Sequence, residues 1–361
     1  MAMEQREWVR PATAGVMAAV VGFASSFAVV LEGLRAMGAS PAQAASGLLV
    51  LSLGMGLLGI VLSLRLRLPI SIAWSTPGAA LLAATQAPVG GFAEAVGAFA
   101  VAGLLVVIAG LWRPFGRLVG AIPGTLAGAM LAGVLLDLCL APFRAIGVMP
   151  FAALPIVIAW VVMMRVNRLW AMPAALAVTV AAVWIDGSAA AALPPVTTLA
   201  PRIVGVLPVF DLQSIVGIAL PLFLVTMASQ NVPGLAVLQT NGYRPQPGPL
   251  FVSTGLVSMI CAPFGGHAVN LAAITAALCA GPDAATDPAR RWLAAVIAGA
   301  SYVAIGAVAT LAAALAVAAP PVLIQAVAGL ALVGAFGGAL SAALAVPAER
   351  EAALVTLLVT A

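Results

Sequence analysis

Charge is what this chain has least of. Only 7% of its 361 residues are charged, against roughly 25% in soluble globular proteins. Lysine is absent, and histidine occurs once, at His267. Each scarcity closes off a class of function. One histidine and three scattered cysteines (Cys139, Cys261 and Cys279), none in a CxxC pair, support neither a zinc site nor a disulfide framework. The thiols are therefore expected to be buried and free, with no metal or cofactor. A net charge of +4 and a pI near 9.6 would suit a nucleic-acid partner. The 15 basic residues, all arginine, instead stand singly or in pairs between apolar runs, so none is expected. No GxSxG surrounds a serine and no acid is in view to orient His267. An intramembrane hydrolase is thus only a remote alternative.

What is abundant is apolar: 64% hydrophobic residues with 36 glycines and 26 prolines, and a mean hydropathy of +1.19. This is the composition of an all-α polytopic membrane protein forming one membrane domain over 1–361, with the lipid bilayer as its solvent. The charged stretch MAMEQREWVR precedes an apolar run too long for a signal h-region. No cleavable signal peptide is expected, and the first helix serves as its own insertion signal.

Candidate spans fall at about 12–34, 43–63, 69–87, 92–111, 118–139, 150–164, 171–186, 212–238, 249–263, 264–281, 292–316, 320–346 and 351–361. A cytoplasmic N-terminus puts Arg6, Arg10, Arg65, Arg67, Arg113, Arg117, Arg165, Arg168, Arg244, Arg290, Arg291 and Arg350 inside, and only Arg35, Arg144 and Arg202 outside. That asymmetry obeys the positive-inside rule, provided the short segments 69–87 and 264–281 both cross.

A proline-rich linker at about 187–211 separates a first repeat, 12–186, from a second, 212–361. Segments 69–87 and 264–281 are each the third span of their half, and each carries a Pro or Gly break near its start. Seven spans per half is an odd number, so the halves are inverted relative to each other. The lead-ins agree weakly: Gly33-Leu34, Gly38 and Pro41 before one, Gly234-Leu235, Gly242 and Pro245 before the other. Gly116, Gly120, Gly124 and Gly128, like Gly54, Gly56 and Gly59, are read as packing faces, since small residues let membrane helices approach closely.

The chemistry gathers at the two breaks. In PISIAWSTPG, residues 69–78, an extended stretch gives way to a Ser75 cap, Thr76, a first-turn proline and Gly78. Gly265-Gly266 ahead of His267 is read in the same way, with His267, Asn270, Leu271 and Ile274 on one face of a second half-helix. Two half-helix N-termini facing each other would seat an anion such as a small carboxylate. The candidate substrate-binding residues are Ser75, Thr76, Gly78, Gln230, Asn231, Gly266, His267 and Asn270. Gln230 is the first choice on its span, with Ser229 and Asn231 behind it; read structurally, these amides bond only to neighbouring helices. With no midplane carboxylate, His267 is the main candidate for proton coupling and Glu32 the second, its alternative being a pair with Arg35. Phe23, Phe27, Trp74 and Phe264 could face a substrate ring or lipid.

AWSTPGAALLA at 73–83 and PFGGHAVNLAAITAALCAG at 263–281, with DPARR at 287–291, resemble the benzoate:proton symporter family of BenE type. The resemblance implies the fold of nucleobase and sulfate-type transporters: fourteen segments in two inverted repeats of seven, with a core (about 12–111 and 212–316) moving against a gate (about 118–186 and 320–361). It also implies proton-driven import of benzoate or a related aromatic carboxylate across a bacterial inner membrane. Ser75, Thr76, Gly78, His267 and Asn270 would then face the substrate, with Gln230 close by. A homodimer is an admissible assembly. A same-fold carrier for a nucleobase or inorganic anion is the near alternative. About eleven apolar residues after Arg350 fall short of a span, so the last segment is expected incomplete and the fourteenth absent.

Overall fold

The computed structural model describes residues 2–112, 114, 124–185, 202–307 and 309–360. Eight spans among them are long and apolar enough to cross a membrane, and the shorter segments fall between them in the predicted order. The linker residues 187–201, Arg113, Arg117, Gly116 and Gly120 lie outside the described residues.

Most boundaries follow the hydropathy pattern, with helices Pro41–Leu66, Phe92–Leu111, Pro150–Val166, Ala171–Ile185 and Pro321–Ala343. Three spans differ. The first is broken into Ala2–Ala24 and Phe27–Ala36, because the Ser25 and Ser26 hydroxyls both bond back to Gly22 O and compete with the helical ladder. The span expected at 292–316 is two helices, Trp292–Gly306 and Ala309–Ala318. Leu212–Thr240 is continuous but contains π turns at Ile215–Ala219 and Met227–Asn231.

Packing follows the inverted halves. Helix Phe92–Leu111, just after the first broken segment, packs on Pro247–Cys261, just before the second. Reciprocally, Trp292–Gly306 packs on Pro41–Leu66. Glycines set the closeness: a Cβ on Gly103 or Gly255 would meet the other's carbonyl at 3.0 and 2.7 Å, and Gly56 and Gly299 would each do so at 2.6 Å. No hydrophobic drive joins helices in lipid, so this intimacy supplies dispersion instead. The predicted lead-ins match in space as well. Gly38 and Gly242 both take positive φ, +91° and +88°, while Gly33 and Gly234 press on the carbonyls of Ala79 and Ala272 in the broken segments beyond. Helix Gly124–Val148 pairs with Pro321–Ala343 and with Arg350–Thr360, where Thr125 donates to Glu349.

The two broken segments meet at the centre of the bundle. Strand β1, Ile72–Trp74, pairs antiparallel with β2, Val269–Leu271, in the register Ile72↔Leu271, Ala73↔Asn270 and Trp74↔Val269. Ala272 N to Ser71 O (2.9 Å) and Ser75 N to Ala268 O (3.2 Å) extend the ladder at both ends.

Candidate substrate-binding site

The first half-helix, Thr76–Ala84, begins as its sequence dictates. Ser75 is the N-cap and its hydroxyl accepts from Gly78 N at 3.1 Å, while Pro77 fills a position where no donor is needed. Thr226 adds a hydroxyl bond to Ser75 Oγ at 2.9 Å. A side chain at Gly78 would meet Leu222 and Ser75 Oγ, both at 2.6 Å.

The second segment corrects the sequence reading. His267 and Asn270 do not stand on a helix face: residues 269–271 are β2 and the half-helix is Ile274–Ala280, seven residues downstream of His267. Pairing with β1 satisfies this backbone in a way that local pattern could not reveal, so tertiary context overrides helix propensity. Gly265, at φ +91°, makes the turn that leads in, and Gly266 sits against Cys261.

His267, Asn270 and Asn231 are all fully buried, and their hydrogen bonds go largely to backbone. His267 Nε2 bonds Ser75 O at 2.9 Å; its ring meets Phe99 edge-on, and Nδ1 has no partner among the described residues. Asn270, with its amide nitrogen toward β1, donates to Ala73 O (3.0 Å) and Trp74 O (3.2 Å). Asn231 Oδ1 accepts from Leu271 N at 2.9 Å and its Nδ2 contacts Met227 Sδ at 3.2 Å. Ser258 bonds both N and O of Val269, and Ser63 bonds Ile70 O. In hydrocarbon each unmet backbone group costs several kcal/mol, and these side chains meet that demand where strands replace helix.

A cavity of about 50 Å³ lies between the two segments, lined by Trp74 and Thr76 from the first and Ala272, Ala273 and Thr275 from the second. Gln230, 8% exposed, reaches it from the π turn. Val21, Gly22, Ser25 and Ser26 enter from the first-span break, Met55 and Tyr302 from two neighbouring helices. Of the candidates, Thr76 and Gln230 therefore line the cavity, whereas Ser75, Gly78, Asn231, Gly266, His267 and Asn270 stand behind its wall.

Trp74 Nε1 donates to Ser26 Oγ at 2.8 Å, and Phe23 packs on both Phe27 and Trp74 with ring centroids 5.5 and 5.4 Å away. Phe264 lies in a separate turn, Ala262–Phe264. Ser71 and Thr275 share a hydroxyl bond of 2.9 Å, and Tyr302 OH donates to Ala18 O at 3.2 Å. Glu32 is outside the lining and accepts from Gln325 Nε2 at 3.1 Å. Ser25, Ser26, Thr275 and Tyr302 escaped the sequence reading. A Ser-Ser pair in an apolar span and one of only two tyrosines were the available signals.

Two inverted halves meeting in a polar-lipped cavity at mid-bundle define a membrane transporter, not an enzyme. The same fold occurs in the transmembrane domain of a cyanobacterium bicarbonate transporter, BicA, at TM-score 0.65 and 16% identity, covering 96% of this chain and 94% of that one. Residues 9–361 match the family described as benzoate membrane transport protein, BenE. Inner membrane protein YdcO of Escherichia coli (strain K12) is 38% identical over 348 residues, 96% of this chain and 88% of that protein. The benzoate membrane transport protein of Acinetobacter baylyi (strain ATCC 33305 / BD413 / ADP1) is 31% identical over 357 residues, 99% and 90% of the two chains. The chain belongs to the BenE family of membrane transport proteins.

Proposed function

We propose that this protein imports benzoate or a related aromatic carboxylate together with protons, by alternating access across a bacterial inner membrane, its N-terminus in the cytoplasm. The observation that carries the reading is the cavity: the indole of Trp74 beside hydroxyl and amide residues Ser26, Thr76, Thr275 and Gln230 suits a flat ring bearing a small polar group. The name of the Acinetobacter relative supports the substrate class. Thr76 and Gln230 contact the substrate, while Ser75, Gly78, Asn231, Gly266, His267 and Asn270 position the segments that do. The core, about 12–111 and 212–316, rocks against the gate, about 118–186 and 320–361.

At about 50 Å³ the cavity is well below the roughly 150 Å³ that accommodates benzene in a protein interior. Benzoate therefore requires a wider state of this cavity than the present one. The present volume favours a small inorganic anion as the second reading. Uptake by proteoliposomes under an imposed pH gradient separates the two. Labelled benzoate accumulates and sulfate and uracil do not; accumulation of sulfate or uracil without benzoate would reject the assignment.

A further inference from the structure

Among the described residues, the cavity wall has no charged side chain. Its polar side chains are Ser25, Ser26, Thr76, Gln230, Thr275 and Tyr302, all neutral at physiological pH. The ionisable groups on the surrounding elements are spent elsewhere or stand back from it. Glu32, on the helix after the first-span break, is bonded to Gln325, and Arg35 ends that same helix. Arg10, near the start of the first span, bonds Thr286. Arg65 lies in the exposed last turn of Pro41–Leu66. His267 is turned to Ser75 O behind the cap. Cys279 lies on the half-helix below Thr275 and is buried. The first half-helix and the span Leu212–Thr240 carry no ionisable residue.

A carboxylate in this cavity would have no cationic side chain beside it among the described residues, only the backbone N–H groups that open the two half-helices. Such partial charges hold an anion less firmly than a cationic side chain would, and desolvation raises a carboxyl's pKa toward the protonated form. A carboxylic acid, by contrast, matches the wall: its carbonyl oxygen can accept from a hydroxyl or from the Gln230 amide, and its O–H can donate to a hydroxyl or to Gln230 Oε1. We infer that the proton travels on the substrate: the cavity takes the aromatic acid in its neutral form, and no side chain of the protein carries the coupled proton. On loading, a proton from the outer water joins a carboxylate oxygen; on unloading, the same O–H bond gives its proton to the inner water. One carboxylate and one proton cross together, with no net charge moved. This rests on the aromatic-acid reading above.

The test is calorimetric titration of benzoate into the purified full-length protein in two buffers of different ionisation enthalpy, which counts protons taken up per benzoate bound. The count is one. The apparent affinity for total benzoate falls about tenfold per pH unit between about pH 6 and 8, where the free acid is ionised. Benzamide, a neutral isostere, competes with the same affinity across that range. The count stays at one in Glu32→Gln, His267→Gln and Tyr302→Phe. A count near zero with pH-independent benzoate affinity would overturn the inference, as would a count that drops in any of the three variants. The wild-type slope and Glu32→Gln decide the matter even where His267→Gln does not fold. Absence of benzoate binding at every pH would overturn the substrate reading and this inference with it, whereas pH-independent binding leaves the substrate reading standing.

Discussion

The two broken segments make the same change from strand to helix, yet they are held by different means. The first carries its own instructions: Ser75 caps it, Pro77 starts it and Gly78 closes the cap, all within four residues. The second half-helix has no side-chain cap at Ala273, and its strand is fixed from outside by Asn231, Ser258 and the ladder to β1. His267 and Asn270 belong to the second segment but serve the first, bonding the carbonyls of Ser75, Ala73 and Trp74. One half is specified locally and the other by its partner, so damage to the second should spread to both.

The largest effect is expected at Asn270. Asn270→Asp sets a carboxylate against the two carbonyls that the amide now serves, and should cost about 3 kcal/mol or more. Asn270→Ala, which only removes the amide's two bonds, should cost less. Thermal unfolding in detergent ranks the two, and an Asp variant as stable as wild type would remove Asn270 from the ladder. Asn231→Leu strips Leu271 N of its acceptor and should destabilise by about 1–3 kcal/mol in the same assay.

Next comes the cavity wall, where a Cβ on Gly22 would fall 2.1 Å from the Tyr302 hydroxyl. Gly22→Ala should lower initial benzoate uptake about tenfold or more, and adding Tyr302→Phe should restore much of it; a double variant no better than the single would deny that this contact sets the width. The smallest effect is at the self-sufficient segment. Ser75→Ala should cost about 1 kcal/mol, and Ser75→Gly only about a few tenths of a kcal/mol. A Ser75 loss exceeding that of Asn270 would reverse the comparison.

The same contrast explains what could be read in advance. PISIAWSTPG announced its strand, cap and helix because each signal is local in the chain. GGHAVNLAAIT reads as a helix by spacing, and nothing in it names Ala73 and Trp74 as its partners, so the half-helix was placed too early. The lead-in glycines were legible as a faint repeat because close backbone contact selects for glycine at matching places in both halves. Gln230 was visible as an amide in hydrocarbon, but the π turn that directs it inward was not. Ser25 and Ser26 passed as tolerated small polar residues, since only their bonds to Gly22 O reveal a break.

The ladder between β1 and β2 has a consequence for how the protein moves. It ties the two halves of the seat with backbone hydrogen bonds on both flanks, so the seat cannot open like a pair of jaws without tearing a sheet in oil. Under the proposed alternating access the two paired strands therefore move as one unit. On that proposal a ligand meets the same groups at loading and at release, and selectivity is the same from either side of the membrane.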